Sequence, residues 1–375
     1  MREFDVAIIG AGIAGASLGY RLASRRGVVV LERESQPGYH STGRSAAMFM
    51  ESYGPPMVRA LTRASRAFYE RPPEGFAEHP LLGERGALYV ASPGQEHLLA
   101  STRAELESTG CRIEQLDAPA TLAKAPCLKP DSVAGALYDA DSKDIDVGTL
   151  HQGFLRGLRA QGGVVRTNAQ LRGAQREADW WELQLADGEA IRARTLVNAA
   201  GAWADEVAQS CGARRIGLEP RRRSAFTFRP PEGVDVSRWP AVVGIDESWY
   251  FKPDAGQLLG SPANADPVAA HDVVPEELDI ALGIHRIEEV TTLSIRRPTA
   301  TWAGLRSFVA DGEMVIGFDQ ACPGFFWLAA QGGYGIQSAA GASELAACLV
   351  LGEPLAPALL EQDVQPALLS PCRLS

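Results

Sequence analysis

The chain has little of what several functional classes require. Its six cysteines, Cys111, Cys127, Cys211, Cys322, Cys348 and Cys372, show no C-x-x-C spacing, and its six histidines form neither an H-E-x-x-H motif nor a cluster with cysteine. Such a pattern predicts no metal site, and thiols scattered in this way read as reduced and mostly buried. Positive charge is also short: 36 Lys and Arg stand against 46 Asp and Glu, a formal net charge of −10. That balance disfavours nucleic acid as a partner, because phosphate binding needs clustered basic side chains, and the run Arg221-Arg222-Arg223 is too short to reverse it. No uninterrupted apolar stretch reaches membrane-spanning length; the C-terminal one is broken by Gln331, Gln337 and Glu344, so no integral membrane segment is expected. Arg2, Glu3 and Asp5 interrupt any apolar core at the N-terminus, and no secretory signal is visible. The expectation is cytoplasmic residence, with peripheral membrane contact left open.

What is present is enough apolar material for a large core, 46% of 375 residues, and a nucleotide site written almost in full. Phe4-Asp5-Val6-Ala7-Ile8-Ile9 reads as a strand. Gly10-Ala11-Gly12-Ile13-Ala14-Gly15 reads as a turn that opens a helix, and Val28-Val29-Val30-Leu31-Glu32 as a second strand ending in a carboxylate. Gly10 permits the tight turn, Gly12 lets backbone amides approach a pyrophosphate at the positive end of the helix, and Gly15 lets helix and sheet pack closely. Glu32 is placed to accept hydrogen bonds from a ribose hydroxyl. The strand, the helix and the acid all fall at the offsets the motif needs.

Three later segments bear on which dinucleotide is held. Gln36-Pro37-Gly38-Tyr39-His40-Ser41-Thr42-Gly43-Arg44-Ser45-Ala46-Ala47 is rich in small and hydroxyl residues. Nicotinamide enzymes have no particular need for such a loop, whereas FAD held along its whole length does. Thr195-Leu196-Val197-Asn198-Ala199-Ala200-Gly201-Ala202-Trp203 is an apolar strand running into a small-residue turn suited to returning beneath the cofactor. Gly324 to Ile336 gives a buried strand and the turn Gln331-Gly332-Gly333-Tyr334-Gly335, followed by an Ala-rich helix to about Leu351. That makes a second dipole-assisted site, for the flavin end.

Elsewhere, residues 57–70 and 95–109 read as amphipathic helices, and 87–91 and 135–138 as strands. Trp181–Leu185 and Ala190–Arg194 read as a hairpin around Asp187-Gly188. From Arg223 to about Ile316 the chain reads as short β segments between Pro, Gly and Asp clusters. The fold class expected is α/β: a Rossmann-like FAD-binding domain of glutathione-reductase-2 type (1–48, 140–215 and 305–375), interrupted by an antiparallel-sheet α+β substrate domain (49–139 and 216–304).

The four nucleotide segments, in this order, resemble the D-amino-acid oxidase and dehydrogenase superfamily of FAD enzymes. Gly43-Arg44-Ser45-Ala46-Ala47, Glu78-His79-Pro80-Leu81-Leu82, Lys252-Pro253-Asp254-Ala255-Gly256 and Gly260-Ser261-Pro262-Ala263-Asn264-Ala265-Asp266-Pro267 resemble bacterial D-arginine dehydrogenases most nearly. The resemblance implies an FAD enzyme that takes a hydride from Cα of a D-amino acid and passes electrons to a quinone, another carrier or oxygen. It also completes the cofactor-contact set: Gly10, Gly12, Ala14, Gly15, Glu32, Arg33, Ser41, Thr42, Arg44, Ser45, Ala46, Ala47, Ala200, Gly201, Trp203, Gly332, Gly333, Tyr334, Gly335 and Ile336.

For the substrate, arginine is the residue that grips a carboxylate in a planar, two-point fashion. Arg306 matches the family's carboxylate-binding arginine. A second arginine falls within Arg221-Arg222-Arg223, where alternation sends Arg221 and Arg223 to one face and Arg222 to the other, so Arg223 is favoured and Arg222 remains the alternative. Tyr250 matches a tyrosine reaching the carboxylate, Tyr53 a mobile lid tyrosine, and Gly333 a backbone carbonyl near the substrate amine. Two positions depart from D-arginine dehydrogenases: Met48 stands where they show a histidine, and Ala87 where they show a glutamate facing the guanidinium, with Glu84 three residues earlier. Without that acid a buried guanidinium loses charge-assisted hydrogen bonds worth roughly 1.5 to 3 kcal/mol, or about one to two powers of ten in affinity. The distal pocket is therefore expected to be larger, less polar and uncharged, and to favour D-Leu, D-Met or D-Phe over D-Arg and D-Lys. An FAD-dependent 2-hydroxy-acid or secondary-amine (glycine or sarcosine type) oxidoreductase is the runner-up; an RNA-modifying flavoprotein and a non-catalytic flavin-binding partner are more distant rivals.

Overall fold

The computed structural model describes residues 1–108 and 110–374. Among them the first sheet runs Leu171–Glu177, Trp180–Leu185, Ala190–Asn198, Arg2–Ile9, Val28–Leu31, Val164–Arg166, edge to edge. Its centre is parallel, and Val28–Leu31 is buried at every position, as a strand covered on both faces must be. The strand Ala190–Asn198 is long enough to pair twice on one side. Its first half takes the hairpin partner Trp180–Leu185, and its second half takes Phe325–Ala329 in parallel. The cofactor-loop strand and the C-terminal strand thus end at the same edge of the sheet as Ile9. The Ile13–Leu22 helix packs on both Val147–Ala160 and Ala339–Leu351.

The second sheet is antiparallel apart from one parallel pair. Its order is Asp266–Pro267, Glu219–Phe228, Gln257–Ser261, Tyr250–Asp254, Ala241–Gly244, Ala87–Ala91, Gly135–Asp139, Glu114–Leu116. Ala300–Phe308 runs along the other edge of Glu219–Phe228 over nine paired positions. A small sheet of Met48–Phe49, Lys143–Ile145 and Leu82–Glu84 lies off these two. Among the described residues no helix is long and apolar enough to cross a membrane.

The helices expected over 57–70 and 95–109 are Pro56–Glu70 and Glu96–Ser108, residue 109 lying outside the described residues, and the hairpin is Trp180–Leu185 with Ala190–Asn198. Two features differ from the sequence reading. The helix Glu277–Val290 lies inside the stretch read as short β segments: its buried Ile280, Gly283 and Ile287 keep a helical period, which the flanking Pro and Asp clusters masked. The strand Ala300–Phe308 runs through the boundary placed at 305, so Arg306 belongs to the antiparallel sheet.

Candidate active site

The nucleotide turn is built where adding atoms is hardest. Gly10 has φ +100°, and a Cβ there would stand 2.5 Å from the Ala199 carbonyl oxygen, while one on Gly15 would collide with the Gly10 carbonyl. Gly12 is the N-cap of the Ile13–Leu22 helix and leaves space beside the Thr42 hydroxyl. Glu32, buried at the end of its strand, accepts from the backbone N–H of Ala11 at 2.8 Å and of Glu34 at 3.0 Å, which aims the carboxylate across the mouth of the turn. Beyond it Arg33 stacks over Trp203 at 4.1 Å and His40 lies 4.5 Å from the same ring. Gly10, Glu32, Arg33, Ala200 and Trp203 line one end of a continuous cavity.

The middle of the cavity is lined by Ala14, Ser41, Thr42, Arg44, Ser45, Ala46 and Gly201 from the first sheet's loops. Gly332, Gly333, Gly335 and Ile336 line it from the C-terminal turn. The loop 39–44 is clamped to the antiparallel sheet. Ser41 Oγ donates to the Leu305 carbonyl at 2.7 Å, Arg44 donates to the carbonyls of Val273 and Ala303, and Trp302 donates back to the Arg44 carbonyl at 3.0 Å. Arg44 also pairs with Asp272 at 2.5 Å and holds that carboxyl below its ordinary value. Arg44 is thereby occupied by protein partners. Gly15 packs beneath the turn and Tyr334 packs on Tyr53 and Phe308, so neither of these two expected contacts lines the cavity; Ala47 lines its far end.

At that far end the two long paired strands Glu219–Phe228 and Ala300–Phe308 bring arginines together. Register places Arg221 opposite Arg306 and Arg223 opposite Gly304, so Arg223 and Arg306 are diagonal neighbours on one sheet face. Arg306 Nη1 donates to the Tyr53 hydroxyl at 3.3 Å, and Arg223 Nε to the Asn264 carbonyl at 2.6 Å. Among the described residues neither guanidinium meets a carboxylate. Burial and the neighbouring Arg306 lower the pKa of Arg223. For Arg306 burial acts the same way, but the Tyr53 and Tyr250 phenols outweigh it and raise the pKa. A Cβ on Gly333 would stand 2.7 Å from Arg306 Nη1, so the turn leaves that residue bare to let the guanidinium pass. Two adjacent cations without a counter-ion, enclosed in a cavity, form a site for an anion.

The structure corrects two of the expected pocket residues. Arg222 points to the other face of its strand, 11% exposed, and pairs with Asp279 at 3.0 Å and with Glu276; it has no part in the cavity. Ala87 is fully buried and does not line the cavity. Glu84 lies on the small sheet paired with Lys143, its side chain in solvent. The far end is lined by the expected Met48, Tyr53 and Tyr250 and by Met50, Tyr89, Ala241, Val243 and Gln337, together with two charged residues that carry no sequence signal. Lys252 is buried and shares the Asp144 carboxylate, at 2.8 Å, with Arg85 at 2.7 Å. Glu247 is exposed at the rim, in a turn with φ +55°. The pocket is therefore largely apolar but not free of charge. Tyr89 could have been found from sequence, since it shares a strand face with Ala87; Gln337, which donates to the Tyr53 carbonyl at 3.1 Å, carries no local signal.

A cavity that runs from a glycine turn and a buried glutamate to an arginine pair that meets no carboxylate is the shape a flavin-dependent oxidoreductase of this fold needs. The chain belongs to the DAO family, FAD dependent oxidoreductase, whose model matches residues 5–349, and FAD is its cofactor. It is 26% identical over 295 residues to the N-methyl-L-tryptophan oxidase of Citrobacter koseri, a match covering 72% of this chain and 75% of that one. It is 26% identical over 265 residues to the mitochondrial dimethylglycine dehydrogenase of Rattus norvegicus, 69% of this chain but 30% of that longer protein. The glycine oxidase from Geobacillus kaustophilus shares the fold at TM-score 0.86 and 21% identity, over 99% of this chain and 98% of that one. The residues fit the cofactor. Gly10, Gly12 and Gly15 leave the main chain of the turn open to a pyrophosphate, and Glu32 would accept hydrogen bonds from ribose hydroxyls. Ser45, Ala46 and the Gln331–Gly333 turn leave a shallow wall for a flat ring system.

Proposed function

We propose that this chain oxidises an amine that also carries a carboxylate, removing a hydride from the carbon that bears the nitrogen. The observation that carries this reading is the Arg223 and Arg306 pair, two neighbouring guanidiniums without an acid partner on the wall of the cofactor cavity. Bound FAD supplies the two-electron acceptor. The protein's own part is positional: the guanidiniums grip the carboxylate, the Tyr53 and Tyr250 hydroxyls stand beside them as further donors, and the reacting carbon is thereby fixed at one distance from the cofactor. The amine proton leaves to water, and a primary imino product hydrolyses to the 2-oxo acid and ammonia.

The finer reading is a D-amino acid with an uncharged, mainly apolar side chain. Likeness to D-arginine dehydrogenases in the quoted motifs supports the D configuration, and Met48, Met50 and Val243 support the side-chain preference at roughly 0.8 kcal/mol per buried methylene. A secondary-amine substrate is the second reading, favoured by relatives named for N-methyl-L-tryptophan. Anaerobic bleaching of the flavin by a panel of D-amino acids, L-amino acids, N-methyl amino acids and 2-hydroxy acids separates them. Reduction by D-Leu or D-Phe supports the first reading, reduction by N-methyl amino acids alone supports the second, and reduction by hydroxy acids alone contradicts both.

A further inference from the structure

Side chains alternate along a strand, so residues 87, 89 and 91 of Ala87–Ala91 share one face and residues 88 and 90 the other. Leu88 and Val90 enter the core beside Phe226, Val242 and Phe251. Ala87, Tyr89 and Ala91 instead cluster with Met48, Met50 and Val243, the apolar wall of the cavity. Register sets Asp139 directly opposite Ala87, which puts its carboxylate on that same face, diagonal to Tyr89. Asp139 is 5% exposed and does not reach the cavity. Its carboxylate accepts from Ser52 Oγ at 2.8 Å, from Ser142 Oγ at 2.8 Å and from the Asp141 backbone N–H at 3.0 Å. Ser52 in turn interacts with the Tyr89 hydroxyl. A carboxylate thus lies close behind the pocket wall on the strand next to the expected acid position, with Tyr89 and Ser52 in front of it. Burial, aided by Asp139, holds the Tyr89 phenol in its neutral form.

We propose that Tyr89 determines side-chain specificity: its ring closes the distal end of the pocket and, with Ser52, screens the Asp139 carboxylate, so that a cationic substrate side chain finds no buried counter-charge there, only the solvated Glu247 at the rim, and an uncharged one is accepted. This rests on the carboxylate-binding reading of Arg223 and Arg306, which fixes the end of the substrate that points toward Tyr89.

The test measures dissociation constants of two unreactive carboxylates, 4-methylpentanoate and 5-guanidinopentanoate, from their perturbation of the flavin spectrum. The holoenzymes compared are the unmodified protein, Tyr89→Phe, Tyr89→Ala and Tyr89→Ala with Asp139→Asn. Tyr89→Val replaces the alanine variant where that variant does not retain flavin. The unmodified protein and Tyr89→Phe, which keeps the ring, favour 4-methylpentanoate. Tyr89→Ala shifts the affinity ratio toward the guanidino acid by at least about tenfold, the lower end for a charge-assisted pair, and Asp139→Asn removes that shift. An unchanged ratio in Tyr89→Ala, with both acids still bound, overturns the proposal. A shift that survives Asp139→Asn also overturns it and assigns the counter-charge to Glu247. If neither acid perturbs the flavin of any of the proteins, the carboxylate reading itself falls, and the proposal falls with it.

Discussion

Around Gly10 the cavity wall is main chain; around Arg306 it is side chain. At the nucleotide end the turn's own backbone defines the shape, and even Glu32 is held by the N–H groups of Ala11 and Glu34. At the far end the shape comes from residues delivered by separate segments: Arg223 and Arg306 from paired strands, Tyr250 from a third, and Tyr53 from the loop ahead of the Pro56–Glu70 helix. A wall of backbone has no room for another atom, whereas a wall of side chains changes its preference when one of them is exchanged. The two ends should therefore fail differently, the first by losing the cofactor and the second by losing or altering the substrate.

The largest effect is expected from Gly15→Ala. Its Cβ collides with the Gly10 carbonyl, so the turn must open. The purified protein should lose most of its flavin absorbance, and full flavin content would show that the turn can open without losing the cofactor. Next comes Arg306→Met, which should leave flavin content intact and lower kcat/KM by more than about tenfold, as expected for loss of a charge-assisted carboxylate contact. Arg221→Met on the same strand should change little, because Arg221 pairs with Glu219 and stacks on Phe308. Equal small effects from both would misplace the carboxylate site.

A smaller effect sharpens the comparison within one tripeptide. Arg222→Met removes the cationic partner of the sheltered Asp279, leaving it Ser224 and Asn264, and should lower the melting temperature, at a cost on the order of 1 to 3 kcal/mol for a partly buried pair, while kcat/KM stays near that of the unmodified protein. A loss of kcat/KM with unchanged melting temperature would return Arg222 to the pocket.

The same contrast explains what was legible in the sequence. The nucleotide end is local: Gly10, Gly12, Gly15 and Glu32 lie within 23 consecutive residues, and their spacing alone carries the strand, turn and helix. Alternation in Arg221-Arg222-Arg223 separates Arg223 from Arg222, but only the tertiary partners Asp279 and Glu276 show where the second one goes. The distal pocket was least legible, because its wall depends on registers between strands far apart in the chain. Ala87 read as an emptied position, although Tyr89 takes up the cavity wall two residues later and Asp139 lies across the ladder. Nothing in the Lys252-Pro253-Asp254-Ala255-Gly256 motif signals that Lys252 is buried at the pocket against Asp144, which is more than a hundred residues earlier in the chain.

The central claim is that a substrate carboxylate completes the unpaired Arg223 and Arg306 site. It is tested most directly by taking the amino acid that bleaches the flavin fastest under anaerobic conditions and comparing it with its amino alcohol, which keeps the amine, the configuration and the side chain but lacks the carboxylate. The account predicts fast bleaching by the acid and little by the alcohol, with the difference much reduced in Arg306→Met. Comparable bleaching by both in the unmodified protein would contradict it.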